Sequence, residues 1–174
     1  MVAPFYLDIN LKNKWTIWYH KQDEPNWNAD SYIKIFEFST VLEYARFKNS
    51  FIFLPQFLNG YYFFMVDDIP PQWEDEKNKM GGSYFIPLAK DITEQTVWSI
   101  LEQAFLNRIF AKGVLHGISI VPKKYNALIK IWNNDKCLNN IDNLLLKNTS
   151  YKLEEIYYRG HSDNNHYGKN TLSG

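Results

Sequence analysis

The chain has 174 residues, of which 45% are hydrophobic and 17% aromatic, so it can bury the core of one domain without metals or disulfides. Nineteen basic residues balance nineteen acidic ones. This balance excludes a protein that holds long nucleic acids through a broad positive surface. Cys137 is the only cysteine, so neither an intrachain disulfide nor a cysteine metal cluster can form.

The predicted strands are rich in aromatic and β-branched residues, and they cover residues 14–20, 31–38, 60–66, 83–88, 114–121, 126–132 and about 151–159. Three helices are predicted between them. Thr40 followed by Glu43 is a capping-box pattern that starts a helix ending near residue 49. Helical spacing of apolar residues follows in 91–105, and a capping aspartate begins a third helix over 135–145.

Strand pairs alternating with single helices predict an α+β fold, with one curved, mostly antiparallel sheet and helices on one face. We expect a single domain over residues 1–174, in which about 160–174 form a flexible C-terminal loop or tail. His161 and His166 in that tail lack a third ligand, so no metal is expected. No segment could span a membrane and the chain starts without a signal pattern, so a soluble, intracellular protein is expected. We also expect it to be a monomer and to act in the cytoplasm.

Two tryptophans lie in polar loops, where core aromatics are uncommon. Trp73 and Glu74 stand in the charged segment 71–82, which ends in two glycines, and Trp27 stands in the polar loop 21–30. Two indole rings can stack on both faces of a flat base, and an electron-poor, positively charged base is favoured further. One carboxylate can accept two adjacent N–H groups, which guanine presents and adenine lacks. The pattern therefore suits 7-methylguanine.

The segment Trp-Glu-Asp-Glu-Lys-Asn-Lys over 73–79, followed by Gly81-Gly82, resembles the signature loop of the translation initiation factor four-E family, the cytoplasmic messenger-RNA cap-binding proteins. The resemblance continues in 13–18, 26–29, 39–41 and 129–132, in the family's order. It implies a cupped-hand sheet backed by three α-helices on the convex face, a role in translation initiation, and no cofactor or catalysis.

The resemblance also implies roles for individual residues. Trp27 and Trp73 would sandwich the methylated base, Glu74 would accept from its edge, and Trp132 would touch the methyl group. Lys123, with Lys124 beside it, would contact the phosphate bridge.

The sequence departs from the family at the phosphates. Ser83 stands where the animal members carry an arginine, and Leu128 where the family usually has a phosphate-binding lysine. The clamp on the triphosphate is thus expected to be reduced, and Ser83→Arg to raise affinity.

The partner-binding face departs as well. Asn10 stands in place of the proline of a His-Pro pair, Val41 is kept, and Ala45 replaces a tryptophan. Because a buried aromatic anchor often dominates interface energy, peptides of the usual scaffold or repressor type are expected to bind poorly. The partner would then be a scaffold or repressor with a non-standard motif.

Three alternatives stay open. The chain could occupy caps as a translational repressor, because the choice between activator and repressor lies with the partner. It could be an enzyme acting on capped or purine nucleotides with Glu74 as general acid or base, although no partner carboxylate, phosphate-binding glycine loop or nucleophile motif accompanies it. It could also be an interaction module that has lost its ligand.

Overall fold

The computed structural model describes residues 9–51, 59–88, 94–123, 127–146 and 155–166, with the side chains of 164–166 excepted. The described part of the chain forms one curved, antiparallel sheet of seven strands in the order β2-β1-β3-β5-β6-β4-β7. The strands are β1 Asn10–Lys21, β2 Ile33–Thr40, β3 Gly60–Val66, β4 Gly82–Leu88, β5 Leu115–Pro122, β6 Ala127–Asn133 and β7 Tyr157–Gly160. All seven predicted strands are confirmed, with shifted ends; residues 151–154 of the last one lie outside the described residues.

Two α-helices, α1 Val41–Ser50 and α2 Glu94–Phe105, occur in the described residues. The predicted capping box of α1 is present: the Thr40 hydroxyl accepts from the Glu43 amide, and the Glu43 carboxylate accepts from the Thr40 amide. Helix α2 ends at Phe105, and the positive φ of 54° at Asn107 then allows the Arg108 amide to donate back to the carbonyl of Gln103.

The predicted third helix over 135–145 is wrong, so the described residues hold two α-helices and not three. Only a 3-10 turn, Ile141–Asn143, forms there. The polar side chains bind the backbone instead: Asp135 accepts from the Cys137 amide, and Asn140 accepts from the Asp142 amide. Asn and Asp compete with helical hydrogen bonds in this way, and the apolar spacing alone could not show it.

The alternation of side chains along the strands gives the sheet two different faces. One face packs against α1 and α2 in the main core, which includes Trp15, Ile17, Phe64, Ile118, Ile129, Ile131, Trp98, Leu101 and Phe105. The opposite face, called the open face below, has no α-helix of the described residues on it. A smaller aromatic cluster of Phe63, Met65 and Trp132 lies there, with Trp18, Tyr32, Tyr61 and Trp73 packed against it. No helix in the described part of the chain is long and apolar enough to cross a membrane.

Candidate functional site

A cavity of about 460 Å³ opens over the aromatic cluster of the open face. Aromatic rings form most of its wall, and the charged groups are one carboxylate and two ammonium groups among the described lining residues. The lining residues are Trp27, Tyr32, Tyr61, Phe63, Pro71, Trp73, Glu74, Val121, Lys123, Lys130 and Trp132. The structure therefore brings together Trp27, Trp73, Glu74, Lys123 and Trp132, which are distant in the sequence.

The Trp27 ring is held from behind by a histidine. The buried imidazole of His20, at the end of β1, lies parallel to the indole, with 3.8 Å between ring centroids and 4° between planes. Tyr61 meets the indole edge-on at 4.9 Å. His20 does not line the cavity, whereas Trp27 does and is 45% exposed. The uncovered side of the indole is thus the side available to a ligand.

The loop that carries Trp73 and Glu74 is fixed by a buried asparagine. The Asn78 side-chain amide donates to the carbonyls of Pro70 and Gln72, at 2.8 and 2.7 Å. Its carbonyl oxygen faces Nδ1 of His116 at 3.0 Å, so this nitrogen is the donor. These bonds give the loop a defined shape without any regular secondary structure.

Glu74 is exposed and lines the cavity, as Tyr32 does. Burial, and after it the negative charge of Glu74, raises the pKa of the Tyr32 phenol above its ordinary value. The carboxylate is thus close enough for its charge to act inside the cavity. It is also the one carboxylate among the described lining residues, so no second acid faces it there.

The floor of the cavity is Trp132 on β6. Its indole N–H donates to the Ser119 hydroxyl at 3.0 Å, and its ring meets the edge of Phe63 at 6.3 Å. Only 4% of the residue is exposed. Trp132 is therefore both a packed core residue and a wall of the site.

The first residues of the expected C-terminal tail, from residue 160, have regular secondary structure. His161–His166 form a 3-10 helix, and His161 is buried against Trp132, with ring centroids 4.8 Å apart. His161 Nδ1 donates to the carbonyl oxygen of Asn78 at 2.8 Å, so Nε2 accepts from the Ser83 hydroxyl at 2.8 Å. Residues 167–174 lie outside the described residues.

This contact changes the interpretation of Ser83. The side chain is buried, and an arginine at this position would have to displace His161. We therefore do not expect Ser83→Arg to add a phosphate contact. The glycine before it is required for space, because a Cβ on Gly82 would lie 2.2 Å from the Tyr158 hydroxyl oxygen.

The positive side of the cavity differs from the predicted one. Lys123 lines the cavity, whereas Lys124 lies outside the described residues. Leu128 is nearly buried and adds no charge. Lys130, two residues further along β6, provides the second ammonium group. Burial, and then the charges of Lys123 and Arg159, lower the pKa of Lys130 to about 8.

Four residues that shape or line the cavity were not predicted from the sequence: His20, Asn78, His161 and Lys130. Alternation along β6 already put Lys130 on the same face as Trp132, so that residue could have been found. Nothing local in the sequence indicates the other three, because their contacts are made across loops and strands. Among the described residues, no three His, Cys, Asp or Glu side chains lie close enough together to hold a metal ion.

The expected partner residues also meet, on the side of the sheet that carries α1. Asn10 pairs with Thr40 at the edge of the sheet, and the Val41 amide donates to the Ile9 carbonyl at 2.9 Å. Ala45 follows Val41 by four residues and shares its helix face. Val41 is 37% exposed, so the patch is open to a partner.

A curved antiparallel sheet with helices on one face and an aromatic cavity on the other defines an α+β domain with a concave site on its open face. The chain belongs to the eukaryotic initiation factor 4E family, whose sequence profile matches residues 10–173. Both the family resemblance and the fold class are thereby confirmed, apart from the helix number.

Similar proteins occur in several animals and in an amoeba. The chain is 36% identical over 87 residues to eukaryotic translation initiation factor 4E of Xenopus laevis, covering 49% of this chain and 40% of that protein. It is 27% identical over 165 residues to the Dictyostelium discoideum protein of the same name, covering 88% of this chain and 64% of the other. The chain thus spans less than two thirds of the length of these relatives.

Solved structures share the fold over nearly the whole chain. A complex of C. elegans eIF4E-3 with the 4E-binding protein Mextli and cap analog aligns with a TM-score of 0.71 at 21% identity, covering 91% of this chain and 95% of that one. A schistosome eIF4E complexed with m7GpppA and 4E-BP also aligns with a TM-score of 0.71, at 17% identity, covering 97% of this chain and 96% of that one. At such identities the likeness shows the fold alone.

Proposed function

We propose that the chain binds the 7-methylguanosine cap of messenger RNA and acts in translation initiation. The observation that carries this proposal is the cavity that Trp27 and Trp73 line from separate loops, with Glu74 at its rim. The family membership supports it, and so does a solved relative described as Ascaris suum eIF4E-3 with m7G cap.

The chemistry of the cavity suits a flat cation. A base placed against the open side of Trp27 and against Trp73 gains about 1–3 kcal/mol per stack. Methylation at N7 leaves the purine positively charged, which adds about 0.5–2 kcal/mol of cation–π attraction. Glu74 would accept from the two N–H groups of the guanine edge, and Trp132 would contact the methyl group at the floor.

Binding is favoured over catalysis because Glu74 has no second carboxylate beside it in the described cavity wall. Incubation of the protein with a cap dinucleotide, followed by chromatography, tests the enzyme alternative. Recovery of the intact dinucleotide agrees with a binding protein, and release of nucleotide products contradicts it.

We further expect the protein to act in the cytoplasm and to recruit or sequester capped messages through a partner on the patch of Asn10, Val41 and Ala45. Relatives described in complex with Mextli or 4E-BP support a partner on this fold. Pulldown with a peptide of the usual Tyr-x-x-x-x-Leu type tests the altered patch. Tight binding of that peptide would show that the loss of the tryptophan at position 45 does not matter.

Titration of the intrinsic tryptophan fluorescence tests the central proposal. 7-Methyl-GMP is expected to quench the fluorescence and to bind about 2- to 30-fold more tightly than GMP, which corresponds to the cation–π contribution. Trp98→Phe, in helix α2 within the main core, is the control and should leave the affinity unchanged. Equal affinities for the methylated and plain nucleotides would overturn the proposal.

A further inference from the structure

Beside the cavity, the open face carries a second surface made of two aromatic rings and two cations. Phe85 on β4 and Tyr157 on β7 are stacked, with 4.8 Å between centroids and 11° between planes. Lys130 Nζ lies 5.1 Å from the Phe85 ring centroid, and the Arg159 guanidinium lies 5.3 Å from that of Tyr157. We call these four residues the edge platform.

The strand register makes the edge platform continuous with the cavity. Phe85 pairs with Lys130 on one side and with Tyr157 on the other. Residues that pair directly across antiparallel strands point to the same face of the sheet. Lys130 lines the cavity as well, so it joins the two surfaces. A ligand longer than one nucleotide could leave the cavity along this row.

The cations of the edge platform lack a counter-charge of their own. No carboxylate in the described part of the chain forms a salt bridge with Lys130 or Arg159. The positive charges of Lys123 and Arg159 instead act on Lys130, and after burial they disfavour its charged form. A partly buried group of like charges is costly unless an anion joins it.

We propose that the edge platform binds the part of a capped RNA that follows the methylated base. Lys130 and Arg159 contact the phosphate bridge, and the first transcribed base stacks on Tyr157, which is 42% exposed. Lys130 lies two positions after Leu128 on the same face of β6. It thereby supplies the positive charge that Leu128 cannot supply. This inference rests on the proposed cap-binding function.

A purely structural role for these residues makes a different prediction. Cations over aromatic rings stabilise surfaces by about 0.5–1 kcal/mol at exposed sites, and they would strengthen the edge strand β7. In that case substitutions should lower the stability of the fold, and the affinities for short and long cap analogues should change by the same factor.

The test compares three ligands, 7-methyl-GMP, 7-methyl-GTP and the dinucleotide m7GpppA, by fluorescence titration. The variants are Lys130→Met, Arg159→Gln and Tyr157→Leu, with Lys112→Met as a matched control, since Lys112 is exposed and does not line the cavity. Circular dichroism and thermal unfolding show whether each variant is folded. Arg159 and Tyr157 are exposed, so at least these two variants should fold normally.

Arg159→Gln is expected to lower the ratio of m7GpppA to 7-methyl-GMP affinity about tenfold, with the 7-methyl-GMP affinity nearly unchanged. Lys130→Met, at a residue that also lines the cavity, is expected to lower both affinities, that for m7GpppA about tenfold more than that for 7-methyl-GMP. The salt dependence of m7GpppA binding should become shallower by about 0.7 in the log–log slope for each lost phosphate contact. Tyr157→Leu should lower the ratio of m7GpppA to 7-methyl-GTP affinity about five- to tenfold.

The two proposals can fail separately. If the wild-type protein does not bind 7-methyl-GMP in preference to GMP, the cap-binding function itself is wrong. If it does, but both affinity ratios stay unchanged in folded Arg159→Gln and Tyr157→Leu proteins, the edge platform is not an RNA subsite. A control variant that lowers the ratios as strongly as Lys130→Met would also reject the assignment.

Discussion

The imidazole of His20 lies parallel to the indole of Trp27 at 3.8 Å and covers the side of the ring that faces away from the cavity. The imidazole is itself fixed, because Nδ1 lies 2.8 Å from the Lys21 carbonyl oxygen and Nε2 lies 2.8 Å from that of Asn26. Trp27 thus belongs to a short loop, yet its ring orientation is set by a residue of the central sheet.

His20→Ala should therefore weaken cap binding, although His20 itself does not contact the ligand. Trp27 would lose its backing and would have to be ordered by the base, which is expected to lower the affinity for 7-methyl-GTP about two- to tenfold. His20→Phe keeps a flat ring behind the indole and should retain most of the affinity. Equal losses in the two variants would speak against stacking as the cause.

Asn78 should be essential for the shape of the loop that carries Trp73 and Glu74. Asn78→Ala removes two donors and one acceptor from a fully buried position, which is expected to cost at least about 2 kcal/mol of the free energy of unfolding. Urea unfolding measures this cost, and a titration with 7-methyl-GTP should show a parallel loss of affinity. Asn139→Ala, at an exposed position, is the control and should change neither quantity.

Local sequence patterns specify part of this fold and leave other contacts unspecified. The strands and α1 could be predicted because alternation and the Thr40–Glu43 capping box are local signals. The placement of Trp27, Trp73 and Glu74 around one cavity could be predicted from their positions in polar loops together with the family resemblance. The contacts of Asn78 with His116 and of His161 with Ser83 span 38 and 78 positions, so no local pattern reveals them.

Glu74→Gln tests whether the carboxylate identifies the base. Glutamine offers one acceptor oxygen in place of two and a donor that faces the donors of guanine, so a loss of about 1.5–3 kcal/mol in binding free energy is expected. Fluorescence titration with 7-methyl-GTP measures it. Glu76→Gln serves as the control, because Glu76 is exposed and paired with Lys79. If both variants bind equally well, Glu74 does not read the guanine edge.

Mild acid should destabilise the fold through the two histidines that contact Asn78. Burial is the main cause that lowers the pKa of both His116 and His161 below the ordinary 6.5. Below pH 6.5 the two histidines bind protons in the unfolded chain but stay neutral in the folded chain. Their contribution to the free energy of unfolding is therefore fully present above pH 6.5, and it is lost as the pH falls through their lowered pKa values in the folded state. The pKa of Glu37 is lowered to about 2, so protonation of this carboxylate affects the free energy of unfolding only below pH 4.5.

Urea unfolding of the wild type between pH 7.5 and 5.5 measures this loss, and His161→Gln should show a flatter dependence over the same range. A wild-type free energy of unfolding that stays constant down to pH 5.5 would contradict a role for buried neutral histidines.

Lys130 should lower the stability of the free protein while it serves the ligand. Its pKa of about 8 lies below the ordinary 10.5, so the charged form is disfavoured in the folded state. Below pH 8 the side chain is charged in both states, and the free energy of unfolding is lowered by the full amount. Between pH 8 and 10.5 Lys130 is neutral in the folded chain and still charged in the unfolded chain, so the destabilisation decreases as the pH rises.

Lys130→Met is therefore expected to raise the melting temperature at pH 7, with a difference from the wild type that shrinks as the pH approaches 10. Over the same rise in pH, wild-type affinity for m7GpppA should fall more than affinity for 7-methyl-GMP, because the neutral amine no longer attracts the phosphate bridge. A variant that is less stable than the wild type at pH 7 would mean that the stem of Lys130 contributes more by packing than its charge costs. Such partial conflict between stability and binding is typical of functional sites, and it would explain why an ammonium group stands on a half-buried strand between aromatic rings.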